Sequence, residues 1–185
     1  VGTISPAGVT GYQEEDARNV FQGGNAAFMR NWPYVYAAAN QPDSPMRGNF
    51  DAAALPNDGT NPSAGTIGGW QLAVSNYSQN PEAAVEFVRY MTSPEVLKYR
   101  ALVGSYIPTH EAVQADTEVI AALPFLELLA NREVELVTRP STVTGETYNE
   151  ASTAIFQGVA QILQGQDATQ VPPTVEQRIQ RTLPR

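Results

Sequence analysis

Asn80-Pro-Glu-Ala-Ala-Val-Glu-Phe-Val-Arg-Tyr-Met-Thr-Ser-Pro-Glu95 carries two helix starts in one short stretch. Asn80 has the chemistry of a cap, Pro81 sits where a first helical residue belongs, and Glu82 puts negative charge in the first turn. Ala84, Phe87, Val88 and Met91 then recur at the spacing of one helical face. Ser93-Pro94-Glu95 repeats the start signal and opens a second helix carrying Val96, Leu97 and Leu102. A proline cannot continue a helix without losing a backbone bond, so the stretch predicts tandem helices broken at Pro94.

Toward the C-terminus, Ser105-Tyr-Ile-Pro-Thr109 reads as extended, because a residue before proline is pushed out of the helical region. A helix through Phe125 to Asn131 follows, then a connecting piece from Val134 to Arg139. A long helix runs from about Thr147 to Gln164. In it Tyr148, Ala151, Ile155, Val159 and Ile162 share a face, and Gly165 stands where a left-handed cap is expected. A final amphipathic helix is expected over about Pro173 to Thr182.

Toward the N-terminus, Thr10 and Gln13 have the spacing of a capping box, and Glu14, Glu15 and Asp16 favour a first helical turn. This predicts a helix from Gly11 to Gln22, stopped by Gly23-Gly24. Asn25 to Arg30 reads as a buried strand leading to Asn31-Trp32-Pro33-Tyr34, a strand-to-helix junction. Asn40 to Gly68 is rich in turn residues around one apolar run, Phe50 to Leu55, and reads as loop, strand, loop. Gly68-Gly-Trp-Gln-Leu-Ala-Val-Ser75 reads as a strand entered through two glycines. Short strands among longer helices make the fold class α/β with helix dominant.

Composition excludes several functions. Eleven basic against nineteen acidic side chains give a formal net charge of -8, which repels a polyanion, so no nucleic-acid partner is expected. The absence of cysteine removes disulfides, thiolate metal sites and cysteine nucleophiles. A single histidine, His110, leaves no room for a multi-histidine metal site and makes a serine triad hang on one residue in a Pro/Thr-rich turn, read as a solvated loop residue. Glu14, Glu15 and Asp16 are consecutive, and Glu133 and Glu135 flank a solvent-leaning segment. Nothing in these spacings sets two carboxylates facing across a cleft, as glycoside hydrolysis requires. No phosphate-binding glycine loop or nucleophile elbow occurs. No catalytic residue, metal ligand or cofactor is expected. No apolar run reaches the roughly 20 residues of a membrane span.

The two tryptophans, Trp32 and Trp70, each sit at the end of a predicted strand beside a backbone breaker. An indole ring can bury the C–H face of a pyranose and leave its hydroxyl rim free. Glycine before Trp70 lets a ligand approach the main chain. Arg139, at the end of a connecting piece, presents a planar fork of donors that grips vicinal hydroxyls or a carboxylate. Periodicity leaves the alternatives open: both tryptophans as partly buried core, and Arg139 as an ordinary surface side chain.

The order of these blocks resembles the maltose-binding-protein-like family of extracellular solute-binding proteins of ABC transporters, with the trehalose/maltose-binding branch most similar. The blocks are Gly24-Asn-Ala-Ala-Phe-Met-Arg-Asn-Trp-Pro33, Gly68-Gly-Trp-Gln-Leu-Ala-Val-Ser75, the tandem-helix stretch, and Ser105 to Thr109 continuing to Arg139-Pro140. The resemblance implies a two-lobed periplasmic-binding-protein type II fold, of which this chain would be the C-terminal portion. It assigns 1–73 and 116–185 to the C-terminal lobe and 74–115, the tandem helices, to the N-terminal lobe.

The same resemblance implies that Trp32, Gly69, Trp70 and Arg139 line a sugar cleft between the lobes, with Tyr34 and Tyr148 nearby. The expected function is the substrate-binding component of a sugar importer, taking a mono- or oligosaccharide to ABC permease membrane subunits. The expected location is periplasmic or cell-surface, with any export signal outside this chain. Members of the family are longer, so the N-terminal lobe, or a second copy of the chain, is an expected partner. A fragment of a sugar-acting hydrolase and a helical interaction module without ligand are the rival readings.

Overall fold

The computed structural model describes residues 1–131 and 133–183. Arg132, Pro184 and Arg185, which fall in the predicted 116–185 segment, lie outside the described residues. The chain divides into two compact units: Val1–Glu15 with Thr138–Arg185, and Asp16–Val137.

The elements, in chain order, are helices α1 (Glu14–Gln22) and α2 (Tyr34–Ala39), strand β1 (Ser63–Thr66), and helices α3 (Pro81–Met91), α4 (Pro94–Gly104), α5 (Glu111–Gln114), α6 (Thr117–Ala122) and α7 (Leu126–Ala130). Strand β2 (Val134–Val137) and helices α8 (Ser141–Thr144), α9 (Tyr148–Leu163) and α10 (Val171–Thr182) complete the order.

In the Asp16–Val137 unit the tandem helices form as their start signals demand. Ser93 caps α4, its Oγ accepting from the Val96 N–H at 3.5 Å, with Pro94 at the first turn. Asn80 makes no side-chain cap on α3; its carbonyl accepts from Ala84 at 3.0 Å instead. At the far end of α4, Ser105 takes a left-handed backbone (φ 52) and donates its N–H to Ala101 at 3.0 Å, which turns the chain into Tyr106-Ile-Pro108. Arg100 lies over the Tyr106 ring at 4.8 Å from its centroid and holds that turn closed.

The apolar core of this unit is built from Ala101 of α4, Val113 of α5, Val119 of α6, Leu123 and Leu126. Leu97, Ala122, Phe125 and Leu129 pack around them. Val119 and Leu123 are fully buried, each contributing about 1.5–3 kcal/mol by leaving water. An aromatic chain extends this core: Phe21 meets Phe50 edge-on at 5.9 Å, Phe50 meets Tyr36 at 5.4 Å, and Tyr36 meets Phe125 at 5.4 Å. Burial, with a smaller contribution from Asp51, raises the Tyr36 hydroxyl above its ordinary value.

β1 and β2 pair in parallel, in register from Ser63↔Val134 to Thr66↔Val137, and Ile67 extends the ladder by donating to the Val137 carbonyl at 2.8 Å. Both strands depart from expectation. β1 lies in a stretch read as loop, and β2 in one read as a connecting piece. Conversely, neither Asn25–Arg30, nor Phe50–Leu55, nor Gly68–Ser75 forms a strand. Phe28, expected in a buried strand, is 93% exposed. A strand exists only with a partner to bond, and none of these three segments has one among the described residues.

The N-terminal helix also starts later than expected. A 3-10 turn over Val9–Gly11 ends at Tyr12, whose extended backbone (φ -73, ψ 138) separates it from α1, so Thr10 does not cap the helix. The stop is as expected. Gly24 (φ +73) closes α1 with Asn25 donating to Val20 at 3.0 Å and Gly24 to Phe21 at 2.9 Å, the paired bonds of a left-handed helix end.

In the other unit, α9 runs over nearly the predicted range. Its end is the expected one: Gly165 (φ +98) donates to Ile162 at 2.9 Å and Gln166 to Gln161 at 3.0 Å. The buried side of α9 is Ala151, Ala154 and Gly158, whereas Ile155 and Val159, expected on the inner face, are exposed. α10 packs against this small-residue side. A Cβ on Gly158 would lie 2.4 Å from Val175 Cγ2, so the glycine is what lets the two helices close. Arg178 of α10 reaches across to Gln157 Oε1 at 3.1 Å.

Candidate functional site

Trp32 stands at the entry to α2. Asn31 Oδ1 accepts the Trp32 N–H at 2.8 Å, and the Trp32 carbonyl accepts from Val35 at 3.2 Å, while Pro33 follows with helical backbone (φ -55, ψ -28). The backbone is thus fixed on both sides of the indole, and the ring is half-buried. Tyr34, next along, is also half-buried.

Trp70 is in a different state. It is 97% exposed, in an extended segment after Gly68-Gly69, and a Cβ added at Gly69 would meet nothing within 4 Å. An indole held in water loses the free energy that burying it would provide, and its ring faces are open to a flat apolar partner. Among the described residues nothing packs over the Trp70 ring. Trp32 and Trp70 are not packed on one another, since almost all of Trp70 is in contact with solvent.

Sequence reasoning passed over Tyr77. It is 90% exposed, in a turn where Ser75 Oγ accepts its N–H at 3.2 Å, shortly after the Gly-Gly-Trp segment. The signal was present: an aromatic residue in the polar run Ser75-Asn-Tyr-Ser78 has no helical or strand period to bury it.

Arg139 belongs to the Thr138–Arg185 unit and lies between β2 and α8. Its side chain is exposed, and no ion pair or hydrogen bond holds the guanidinium among the described residues. The following backbone is firm. The Pro140 carbonyl accepts from Val143 at 3.1 Å and from the N–H and Oγ1 of Thr144 at 3.0 and 2.9 Å, and Thr144 is buried. Tyr148, at the start of α9, is half-buried.

Two shallow hollows lie on α10. One, of about 530 Å³, is lined by Pro172, Pro173, Val175, Glu176, Ile179 and Gln180, and one of about 270 Å³ by Gln177, Gln180, Arg181 and Leu183. Neither contains a residue singled out from the sequence. An open groove along one helix lacks the enclosure and converging polar groups of a small-molecule site. Among the described residues no group of three or more histidine, cysteine or carboxylate side chains is placed to hold a metal ion, and no helix is long and apolar enough to cross a membrane.

Comparison with known proteins gives the class of this helix-rich α/β chain. The family profile of bacterial extracellular solute-binding proteins matches residues 2–98, and the chain belongs to that family. It is 48% identical over 163 residues to an ABC transporter-binding protein of Deinococcus radiodurans, an alignment covering 88% of this chain and 39% of that protein. It is 23% identical over 125 residues to a periplasmic-binding protein of an amino-acid ABC transporter from Sinorhizobium fredii, covering 67% of this chain and 27% of the relative. Among solved structures, maltose-bound MalE3 of T. maritima superposes with a TM-score of 0.82 at 33% identity, over 95% of this chain and 44% of that one. The fold is therefore of the maltose-binding-protein type, and the chain spans less than half the length of these relatives.

Proposed function

We propose that this chain supplies part of the binding cleft of a non-catalytic sugar receptor that serves an ABC importer outside the cytoplasmic membrane. In this reading Trp32 and Trp70 stack on sugar rings, Gly69 offers main-chain hydrogen bonds, and Arg139 grips vicinal hydroxyls. The ligand is a mono- or oligosaccharide of the maltose or trehalose kind. Closure around it presents the receptor to the permease subunits. Residues 1–73 and 116–185 are assigned to the C-terminal lobe and 74–115 to the N-terminal lobe.

The observation that carries this reading is Trp70. An indole 97% exposed and next to an unobstructed glycine is costly to leave in water and suited to a ligand with a flat C–H face. The likeness to a maltose-bound protein at 33% identity supports a sugar over other solutes.

Calorimetry of the complete protein with maltose, trehalose and other glucose-containing disaccharides tests it. Binding is expected for at least one sugar. Trp32→Ala and Trp70→Ala are each expected to weaken that binding by about 1–3 kcal/mol, the usual loss for an aromatic anchor. Saturable binding of an amino acid, with no response to any sugar, would replace this reading with that of an amino-acid receptor. Unchanged sugar affinity in both variants would remove the two tryptophans from the site.

A further inference from the structure

Asp58-Gly59 is the chain's one aspartyl–glycyl bond, and it lies in the exposed loop that leads into β1. This dipeptide has a known chemical weakness. The Gly59 amide nitrogen can attack Asp58 Cγ; the Cγ–OH bond breaks, water leaves, and a five-membered succinimide forms. Water then opens the ring at either carbonyl. One product is aspartate, the other isoaspartate, in which the main chain runs through Cβ and Cγ and is longer by one methylene. The sum is an isomerisation with no net gain or loss of atoms.

The native loop holds both reacting groups. Asn57 Oδ1 accepts the Gly59 N–H at 2.8 Å, so the N–H that must give up its proton in the attack is already hydrogen-bonded. Asp58 Oδ1 accepts the N–H groups of Thr60 and Asn61, both at 2.9 Å, and Oδ2 accepts from Asn61 Nδ2 at 3.0 Å. Gly59 adopts φ +82, which fixes the turn in a region other residues avoid.

We propose that Asn57–Asn61 is a latched modification site, in which the hydrogen bond that Asn57 accepts and those that Asn61 donates suppress isoaspartate formation at Asp58. The bonds to the Asn61 and Thr60 backbones, with those to the Thr60 and Asn61 side chains, also hold the carboxyl group well below its ordinary value. The protonated acid, whose hydroxyl is the better leaving group, is therefore scarcer in the folded loop than in the unfolded chain. Failure of the latch would lengthen the main chain by one methylene ahead of β1, whose pairing begins at Ser63↔Val134.

The test incubates the 185-residue chain at neutral pH and 37 °C, folded or in urea, and measures isoaspartate at position 58 by peptide mapping and isoaspartyl methyltransferase labelling. Wild type is expected to isomerise at least about tenfold more slowly folded than unfolded, the scale of one hydrogen bond to a charged group. Asn57→Ala and Asn61→Ala are expected to raise the folded-state rate toward the unfolded one. Asn57→Asp, which keeps an acceptor oxygen, is expected to stay slow. Thermal melts identify which variants remain folded, and only those are compared in the folded arm. Equal rates in folded and unfolded wild type would overturn the proposal, as would an unchanged folded-state rate in both alanine variants.

Discussion

At the scale of single residues, Gly158 is the position where one carbon decides a helix pair. A methyl group there would sit 2.4 Å from Val175 Cγ2, and valine, branched at Cβ, has little rotamer freedom in a helix to move away. Gly158→Ala therefore gains helix propensity and loses packing, and overpacking wins: a net destabilisation of about 1–3 kcal/mol is expected in urea unfolding. Val175→Ala in the same chain should recover most of it. If the single variant is as stable as wild type, α9 and α10 do not close as described.

Among elements, α4 and α6 are joined by charge as well as by the core they share. Lys98 Nζ lies 2.8 Å from Asp116 Oδ2 and 2.8 Å from Glu118 Oε2. Asp116 Oδ1 meanwhile caps α6, accepting from Glu118 and Val119 at 2.9 and 3.4 Å. The Lys98 hydrogen bond, more than the cap bonds, lowers the Asp116 carboxyl from its ordinary 3.8. Its contribution to stability is thus complete above that value and is lost as pH falls through the lower folded value. Hydrogen bonds to Asp116 first and Glu118 second raise Lys98 above 10.5, so its contribution is complete below 10.5 and lost as pH rises through the higher folded value. Asp116→Asn keeps a good cap and deletes the charge. Its melting temperature should fall below wild type's at neutral pH, by a modest amount because the groups are partly in solvent, and the two curves should converge in acid. A constant gap across pH would mean that the ion pair is not what the substitution removed.

Over the whole molecule, the amount of apolar surface left in water stands out. On α3, Val85, Phe87 and Tyr90 are exposed, and no residue of that helix is buried; on α9, Ile155, Phe156, Val159 and Leu163 are exposed. Several exposed apolar side chains on one helix are a surface that other protein can cover. The 185-residue chain is therefore expected to bind an apolar fluorescent dye and to sediment above its 20.0 kDa mass. Phe87→Lys should reduce both. A dye-silent monomer would show that these faces are covered in solution.

Much of the helical order was legible because a helix carries its own instructions. Ser93-Pro94-Glu95 starts α4, and Gly165 ends α9 through bonds made within a few residues of chain. Gly68-Gly69-Trp70 could be singled out from the sequence as a ligand candidate, since it sets two glycines and a flat ring in three consecutive residues; its part in binding is the proposal made above. Three things needed the tertiary structure. Ser63–Thr66 became a strand only because Val134–Val137 lies alongside it, while the more apolar Asn25–Arg30 found no partner among the described residues. The buried side of α9 became Ala151, Ala154 and Gly158 because α10 approaches closely enough to need small residues there, leaving Ile155 and Val159 in solvent. The exposure of Trp70, which sequence pattern could not separate from burial, was likewise settled only by what packs around it. Local hydrogen bonds fix where helices begin and end, but pairing, facing and exposure are relations between distant segments, and no single stretch of sequence contains both partners.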